Sequence, residues 1–369
     1  MVSKRELVTS ATRIVVKIGS SSLTRPDGGL DLNRIDSVAS VIGALRMNGQ
    51  APVLVSSGAM AAGRGRLGMT TRPRDLATAQ ACSAVGQGVL MARWTEAFIA
   101  HRAEVGQVLL TAGDIMRREH YTNAARTLEK LVRLGVVPVI NENDAVATEE
   151  MRFGDNDRLS ALVAQLLHAD VLVMLTDVDG LYDRPPSRPG AKQIRVVRGE
   201  DDLAGLDVTG RGTDLGTGGM ASKIVAASAA ASAGVGVILT SADNLAAAVA
   251  GAEVGTWFEP TGRHAGNKRL WMAHAASPLG ALVLDDGAVR AVTEQNSSLL
   301  AAGVAQVRGD FAAGDVVDLL SADGGVVARG IAAYGSGEVR ELQGMRSADF
   351  AAGEAPRPVV HRDHLAILR

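Results

Sequence analysis

Continuous runs of apolar residues alternate, over the first two thirds of the chain, with stretches that repeat apolar residues at helical spacing. The runs are rich in Val and Ile, which is typical of strands buried on both faces of a sheet. Between two of them, Ile35, Val38 and Ile42 share one helical face. Alternating strands and helices predict an α/β fold with a mainly parallel sheet sandwiched by helices. The predicted strands are 14–16, 53–55, 105–110, 136–140, 171–175 and 235–239.

The pattern changes after Trp271 to shorter apolar runs. Turn-forming residues separate these runs at Asp285-Asp286-Gly287 and Asp323-Gly324-Gly325, and such pairs favour tight turns between antiparallel strands. A chain of 369 residues also exceeds the usual size of one hydrophobic core. The sequence therefore predicts a large α/β domain at residues 10–275 and a small β-rich domain at residues 279–357. The short strands predicted there are 282–284, 316–320 and 326–328.

Composition and charge narrow the classes of partner. A formal net charge of −2 provides no general attraction to nucleic acid or to an anionic membrane. The single cysteine, Cys82, excludes an intramolecular disulfide and favours a reducing compartment. The N-terminal residues lack the apolar core of a signal peptide, and no apolar stretch reaches the ~20 residues that cross a bilayer. We expect a soluble, cytoplasmic protein without membrane or nucleic-acid partners.

Polar residues and glycines follow four of the predicted strands. Ligands of open parallel sheets bind at the carboxyl ends of the strands, so these segments are candidates for a site. The first combines a lysine with a glycine turn that suits a phosphate, and the third is dense enough in polar groups to hold an ammonium or hydroxyl group. The fourth combines groups that suit a nucleotide. The four segments are Lys17-Ile18-Gly19-Ser20, Ser56-Ser57-Gly58-Ala59, Asn141-Glu142-Asn143-Asp144 and Thr176-Asp177-Val178-Asp179-Gly180.

Two further motifs precede predicted helices. In Gly154-Asp155-Asn156-Asp157, Asn156 is either a helix N-cap or a ligand, and the acids either complement the helix dipole or orient cationic groups. The segment Gly216-Thr217-Gly218-Gly219-Met220-Ala221-Ser222-Lys223 places glycines ahead of a helix that carries a lysine in its first turns. Its spacing excludes a P-loop, and no G-x-G-x-x-G fingerprint follows the first strand. The histidines form no compact ligand set, so we expect no metal held by the protein alone.

In order and spacing, these motifs resemble those of the glutamate 5-kinases of the amino acid kinase superfamily. The resemblance extends from Ile14 to Trp271, and the tail resembles the PUA domain that many bacterial members carry. It implies ATP-dependent phosphorylation of the side-chain carboxylate of L-glutamate to L-glutamyl 5-phosphate, the first step of proline biosynthesis. The tail motifs are Leu284-Asp285-Asp286-Gly287-Ala288, Ser297-Ser298-Leu299-Leu300, Asp310-Phe311 with Gly314-Asp315, and Ala328-Arg329-Gly330.

The resemblance also implies a role for each motif position. Lys17 and Lys223 would neutralise charge on the transferring phosphoryl group, Asp157 would hold both lysines, and no covalent enzyme intermediate would form. Three residues would bind glutamate, namely Ser57, Asp144 and Asn156. The nucleotide would contact Lys17, Thr176, Asp177, Thr217, Gly218, Gly219, Met220, Ala221, Ser222 and Lys223.

The implied cofactor is ATP with Mg²⁺ arriving on the nucleotide, and the resemblance further implies feedback inhibition by proline and a homo-oligomer of two or four chains. Two positions depart from the family pattern. Ser56 stands where threonine is common, which keeps the hydroxyl, and residues 184–189 differ where a lid is expected. Two alternatives stay open. One is another carboxylate kinase of this fold, acting on acetylglutamate or aspartate, and the other is an RNA-binding protein acting through the PUA domain, against which the absent basic stripe weighs.

Overall fold

The structure is a computed structural model that describes residues 4–25, 29–69, 71, 73, 75–111, 114–115, 118–146, 156–203, 206, 219–261, 278–295, 297–345 and 357–368. The chain divides into two compact units, Met1–His264 and Ala265–Arg369. Each unit has a hydrophobic core of its own.

An eight-stranded sheet forms the centre of the first unit. Its strands are β1 Arg13–Ile18, β2 Ala51–Ser56, β3 Val105–Leu110, β4 Val137–Glu142, β5 Val171–Thr176, β8 Val196–Val197, β9 Gly236–Ser241 and β10 Thr256–Phe258. Their order is β3-β4-β2-β1-β5-β9-β10-β8, and the neighbours from β3 to β9 are parallel. β10 is antiparallel to β9. The mainly parallel sheet predicted from the apolar runs is therefore confirmed.

Helices flank this sheet and connect its parallel strands. Asp31 and Asp75 cap two of them by accepting hydrogen bonds from the backbone N–H groups of Arg34 and Thr78. The described helices are α1 Lys4–Thr9, α2 Ser20–Leu23, α3 Leu32–Met47, α4 Ala59–Arg66, α5 Leu76–Ile99, α6 Arg118–Arg133, α7 Asn156–Leu166, α8 Met220–Ser232 and α9 Leu245–Val249, with 3₁₀ turns at Asp144–Val146, Glu200–Leu203 and Ala242–Asn244.

Strand β4 is longer than its apolar run. Asn141 and Glu142 are its last two residues and pair with Leu109 and Leu110 of β3, so they lie within the sheet instead of following it. Every residue of β4 is buried, including these two polar ones. Their side chains are thereby fixed at the carboxyl edge of the sheet.

Helices α4 and α5 cross with their backbones in contact. A Cβ atom on Gly63 would lie 1.8 Å from the carbonyl oxygen of Cys82, and one on Gly86 would lie 1.7 Å from that of Ala59. No side chain fits at either position. The two glycines therefore set the distance of α5 from the segment that follows β2.

A short antiparallel hairpin, β6 Leu181–Tyr182 with β7 Gln193–Ile194, follows β5. Thr256 anchors it to β10, since its buried hydroxyl accepts from the Leu181 N–H at 2.7 Å and donates to the Ile194 carbonyl at 2.5 Å. The hairpin encloses residues 184–189, where the sequence departs from the family pattern.

The second unit contains a five-stranded sheet of order β12-β11-β13-β14-β15. Its elements are β11 Gly280–Leu284, α10 Asp286–Thr293, a 3₁₀ turn at Ala301–Gly303, β12 Val304–Gly309, β13 Val316–Leu320, β14 Val326–Ala332, α11 Ser336–Leu342 and β15 Val360–Ile367. Because β15 pairs with β14, the sheet includes residues beyond 357.

One of the two predicted turns in this unit is wrong. β11 and β13 are parallel, so no tight turn joins them, and Asp285-Asp286-Gly287 instead begins α10. The Asp285 carboxylate caps that helix by accepting from the Ala288 N–H at 2.7 Å. The second turn is confirmed, since Asp323-Gly324-Gly325 connects the antiparallel strands β13 and β14, with φ of +90° at Gly324.

Candidate active site

The side chain of Lys17 points inward at the carboxyl end of β1. Its amine lies 2.5 Å from Oδ1 of Asp157, and both residues are only 3% exposed. Asp157 stands in the first turn of α7, which packs on β1. A Cβ on Gly19 would come within 3.4 Å of the Lys17 amine, so glycine at this turn leaves space beside the ammonium group.

A second lysine reaches the same carboxylate from helix α8. Lys223 Nζ lies 3.2 Å from Asp157 Oδ2, and Ser222 Oγ lies 3.1 Å from the same oxygen. Gly219 is the residue before the helix, and a Cβ there would meet nothing within 4 Å. Both ammonium groups and a hydroxyl from the first turn of α8 therefore adjoin one carboxylate.

The charges of this cluster determine the protonation of Asp157. Burial alone would raise the pKa of the Asp157 carboxyl group, but the ammonium groups of Lys17 and Lys223 lower it to about 2. Asp157 is therefore ionised at neutral pH and bound to two cations. A carboxylate in this state is a poor base, so its chemistry is electrostatic positioning.

Asn156, which precedes Asp157, connects the lysine cluster to the end of β4. Its Nδ2 donates to Asn141 Oδ1 at 3.0 Å, and its Oδ1 accepts from the backbone N–H of Glu142 at 3.2 Å. Asn156 is the first residue of α7, and both of these bonds connect its side chain to strand β4. This buried amide joins the two parts of the candidate site.

Asp144 begins the 3₁₀ turn that follows β4. Burial raises the pKa of its carboxyl group to about 6, and the hydroxyl of Ser83 opposes that shift. In these surroundings the ionised carboxylate would be stabilised by a nearby positive charge. A ligand ammonium group would supply it.

The end of β2 supplies the third predicted glutamate ligand, Ser57. Its backbone N–H donates to the Ile18 carbonyl at 3.0 Å, which fixes the β2 end to the β1 end. Ser56 is buried, and its hydroxyl accepts from Trp94 Nε1 at 3.0 Å, so the departure from threonine retains a structural hydroxyl. Gly58 directly precedes α4 and has a φ of +106°, a left-handed conformation that favours glycine.

The predicted nucleotide residues are divided between described and undescribed parts of the chain. Thr176 is buried at the end of β5 and donates to the exposed Asp177 carboxylate at 2.8 Å. Met220 and Ala221 form the first turn of α8 with Ser222 and Lys223. Thr217 and Gly218 lie outside the described residues, as does Asp155.

Two site residues were missed at the level of sequence, Ser83 and Gln87 of helix α5. Ser83 is buried beside Asp144, and Gln87 Oε1 accepts from Asn141 Nδ2 at 2.7 Å. Both look like polar positions of an alanine-rich helix. Gly86, next to Gln87, was the available signal, because glycine disfavours helices and a glycine within one indicates close packing.

Within the described ranges, no three His, Cys, Asp or Glu residues are grouped so that they could hold a metal ion. Among the described helices, none combines the length and apolar character that crossing a membrane requires.

Residues 12–241 match the model of the amino acid kinase family, and residues 280–353 match that of the PUA domain. The chain belongs to the amino acid kinase family. Proteins named glutamate 5-kinase from Streptomyces coelicolor and Streptomyces avermitilis are 53% and 52% identical to it, each over 100% of both chains. A solved isopentenyl phosphate kinase is 20% identical, covers 67% of this chain and 99% of its own, and has a TM-score of 0.49, which supports no argument about function.

These matches confirm the family resemblance, the fold class and the PUA domain that the motifs predicted. The amino acid kinase family is a phosphotransferase family, so the predicted class of enzyme is confirmed as well. The match to the PUA model includes the segment that contains α10 and the β11–β14 strands.

Proposed function

We propose that this protein transfers the γ-phosphoryl group of ATP to the side-chain carboxylate of L-glutamate, which gives L-glutamyl 5-phosphate and begins proline biosynthesis. One observation carries the proposal. Lys17 and Lys223, from opposite ends of the domain's sequence, meet on Asp157 at the edge of the sheet. Full-length relatives near 50% identity carry the name glutamate 5-kinase, which supports glutamate as the acceptor.

The reaction needs charge neutralisation more than proton transfer. The attacking group is a carboxylate, which is already ionised at neutral pH, so no general base is required. An oxygen of that carboxylate forms a bond to the γ-phosphorus while the bond to the β-phosphate bridging oxygen breaks, and ADP leaves with the electron pair. Because both reactants are anions, Lys17 and Lys223 lower the barrier by stabilising negative charge on the transferring group.

Asp157 acts on the lysines. Held at two oxygens by two amines, its carboxylate fixes the position of both ammonium groups and leaves the cluster of three with a net positive charge. A preorganised cation needs no rearrangement when charge develops on the phosphoryl group. Asp157 is therefore a positioning residue in this proposal.

The two reactants would bind at the ends of different strands. Glutamate would contact Ser57, Asp144 and Asn156, with its reacting carboxylate toward Lys17 and its ammonium group toward Asp144. ATP would contact Thr176, Asp177 and the segment 217–223, with its phosphates at the N-terminus of α8. This places the acceptor and the donor on the two sides of the lysine pair.

The proposal extends to four properties that the resemblance alone supports. They are Mg²⁺ arriving on ATP, inhibition by proline, a homo-oligomer of two or four chains, and a cytoplasmic location. The formal net charge of −2 supports the expectation that nucleic acid is not a partner.

The acceptor is tested by trapping the acyl phosphate with hydroxylamine. The protein is incubated with ATP, Mg²⁺ and one of L-glutamate, acetylglutamate or L-aspartate, and the hydroxamate is measured. We expect hydroxamate from glutamate. Hydroxamate from acetylglutamate or aspartate in place of glutamate would contradict the proposed acceptor.

A further inference from the structure

A backbone N–H group fixes the orientation of three side-chain amides at the end of β4. The Glu142 N–H lies 2.9 Å from one atom of the Asn141 amide and 3.2 Å from one of the Asn156 amide. An N–H group only donates, so both atoms are oxygens. Asn141 Nδ2 is then the donor of the 2.7 Å bond to Gln87, and the atom that accepts it is Oε1.

This orientation leaves the other end of the Gln87 amide for a ligand. Its Nε2 is buried and has no hydrogen-bond partner among the described residues. A buried donor without an acceptor costs about 1–3 kcal/mol. The Oε1 contact with Asn141 accounts for the acceptor end of the Gln87 side chain, whereas no described residue accounts for its buried donor.

The same face of α5 adjoins the carboxylate of Asp144, which has an acceptor atom without a donor among the described residues. Ser83, one helical turn before Gln87, lies beside Asp144, and α5 packs on the 3₁₀ turn Asp144–Val146. Asp144 Oδ1 is buried and makes no hydrogen bond of normal length to a described residue. This face of α5 thus brings together two buried groups: within the described part of the chain, the Gln87 Nε2 donor lacks an acceptor and the Asp144 Oδ1 acceptor lacks a donor.

An α-amino acid carries both complementary groups, a carboxylate that accepts and an ammonium group that donates, on one carbon atom. We propose that Gln87 is a specificity-determining residue whose Nε2 donates to the α-carboxylate of the substrate, while Asp144 binds the adjacent α-ammonium group. The inference rests on the proposed function, because it takes glutamate as the substrate. The amide chain Gln87, Asn141, Asn156 then runs along the substrate from its α-carbon end to the reacting end at Asp157.

The substrate that isolates this contact is 4-aminobutyrate. It keeps the ammonium group and the reacting carboxylate of glutamate and lacks only the α-carboxylate. A site that has a buried donor for that group rejects the analogue, because the donor stays unpaired. The preference for glutamate over 4-aminobutyrate therefore measures what Gln87 contributes.

The experiment compares wild type, Gln87→Met and Gln87→Glu, with Gln107→Met on the exposed part of β3 as the matched control. For each, kcat and KM for glutamate are measured by hydroxamate formation, and the inhibition constant of 4-aminobutyrate is measured in competition with glutamate. Gln87→Glu keeps the shape and the acceptor for Asn141 while it replaces the donor by a negative charge.

We expect Gln87→Met to raise KM for glutamate about 10- to 100-fold, the equivalent of one hydrogen bond to a charged group, with kcat little changed. Gln87→Glu raises the KM for glutamate further, and neither variant weakens the binding of 4-aminobutyrate to a similar degree. Gln107→Met changes neither constant. Equal weakening of both ligands in the Gln87 variants, or an unchanged KM, overturns the inference. A wild-type protein that makes no hydroxamate from glutamate refutes the proposed function instead.

Discussion

The amine of Lys17 lies 2.5 Å from Oδ1 of Asp157, although 140 positions separate the two residues in the chain. Lys223 occupies the other oxygen of the same carboxylate. One acid therefore holds two cations that come from a strand end and a helix start. If this arrangement performs phosphoryl transfer, each member of the cluster has a separate and measurable effect.

Replacement of Lys223 by alanine removes one of the two ammonium groups that stabilise the transferring phosphoryl group. We expect kcat for hydroxamate formation to fall about 10³-fold, as for the loss of one preorganised electrostatic contact. Far-ultraviolet circular dichroism should match wild type, because Lys223 is at the edge of the cluster. Lys130→Ala, on the exposed side of α6, is the control and should retain full activity. A fully active Lys223→Ala protein would refute the role given to this lysine.

Replacement of Asp157 by asparagine leaves two lysines without their shared carboxylate. Lys17 and Asp157 are each 4% exposed at the side chain, so the loss of one partner should lower the free energy of unfolding by about 3 kcal/mol. Urea denaturation of the unliganded protein measures this difference. Activity should fall as well, since both ammonium groups lose their fixed positions.

The contribution of Asp157 to stability has a defined pH range. Its pKa is about 2 in the folded protein against the ordinary value of 3.8. A lowered pKa means that the stabilisation is complete above 3.8 and is lost as the pH falls toward 2. The stability gap between wild type and Asp157→Asn should therefore be constant from about pH 7 to pH 5 and narrow below about pH 4. A gap that stays constant at pH 3 would show that Asp157 titrates normally.

The ionisation of Asp144 should set the acid limit of glutamate binding. Its pKa is raised to about 6, so the carboxylate that binds an ammonium group is formed only above that value. We expect kcat/KM for glutamate, at saturating ATP, to rise about tenfold per pH unit below pH 6 and then to level off. Asp144→Asn should abolish this limb and lower the plateau about 100-fold. An unchanged profile in the variant would assign the limb to another group.

The raised pKa of Asp144 also affects the unliganded protein. The folded state holds the proton more tightly than the unfolded chain, so stability decreases as the pH rises from 3.8 to about 6. Binding of glutamate should offset this loss above pH 6. Thermal denaturation with and without glutamate at pH 5 and pH 8 measures the difference.

The contact between α4 and α5 gives a pair of matched substitutions. Gly86→Ala would place a Cβ 1.7 Å from the Ala59 carbonyl oxygen, so we expect a loss of at least about 3 kcal/mol in stability. Gly88→Ala, on the same helix, meets nothing within 4 Å and should be neutral or stabilising by about 0.5 kcal/mol. Thermal denaturation of both variants checks the pair. Equal stability of the two proteins would contradict the close crossing of these helices.

The sheet was readable from the sequence because its strands are buried on both faces. Residues 171–175 are entirely apolar and form nearly all of β5. The meeting of Lys17 with Lys223 was implied by the family resemblance, and the position of Lys17 at a strand end agrees with the general location of ligand sites in parallel sheets. Local motifs therefore identified the charged part of the site.

The polar lining contributed by α5 was not predictable in the same way. Gln87 lies on a helix whose polar positions suggest exposure to solvent, and its contact with Asn141 depends on how closely α5 approaches the sheet. Gly63 and Gly86 set the distance of α5 from α4, and their effect likewise appears only in three dimensions. The turn predicted at Asp285 failed for a related reason, because Asp-Asp-Gly suits a helix start as well as a turn.

The central claim is that the side-chain carboxylate of glutamate receives the phosphoryl group of ATP, and isotope tracing tests it most directly. Glutamate labelled with ¹⁸O in both side-chain carboxylate oxygens is converted with ATP in the presence of hydroxylamine, and the released phosphate is examined by ³¹P nuclear magnetic resonance. Hydroxylamine attacks the carbonyl carbon, so the oxygen that bridged carbon and phosphorus leaves with the phosphate. Transfer to the carboxylate predicts one ¹⁸O atom in each phosphate released. Unlabelled phosphate would show that water receives the phosphoryl group, and it would contradict the account.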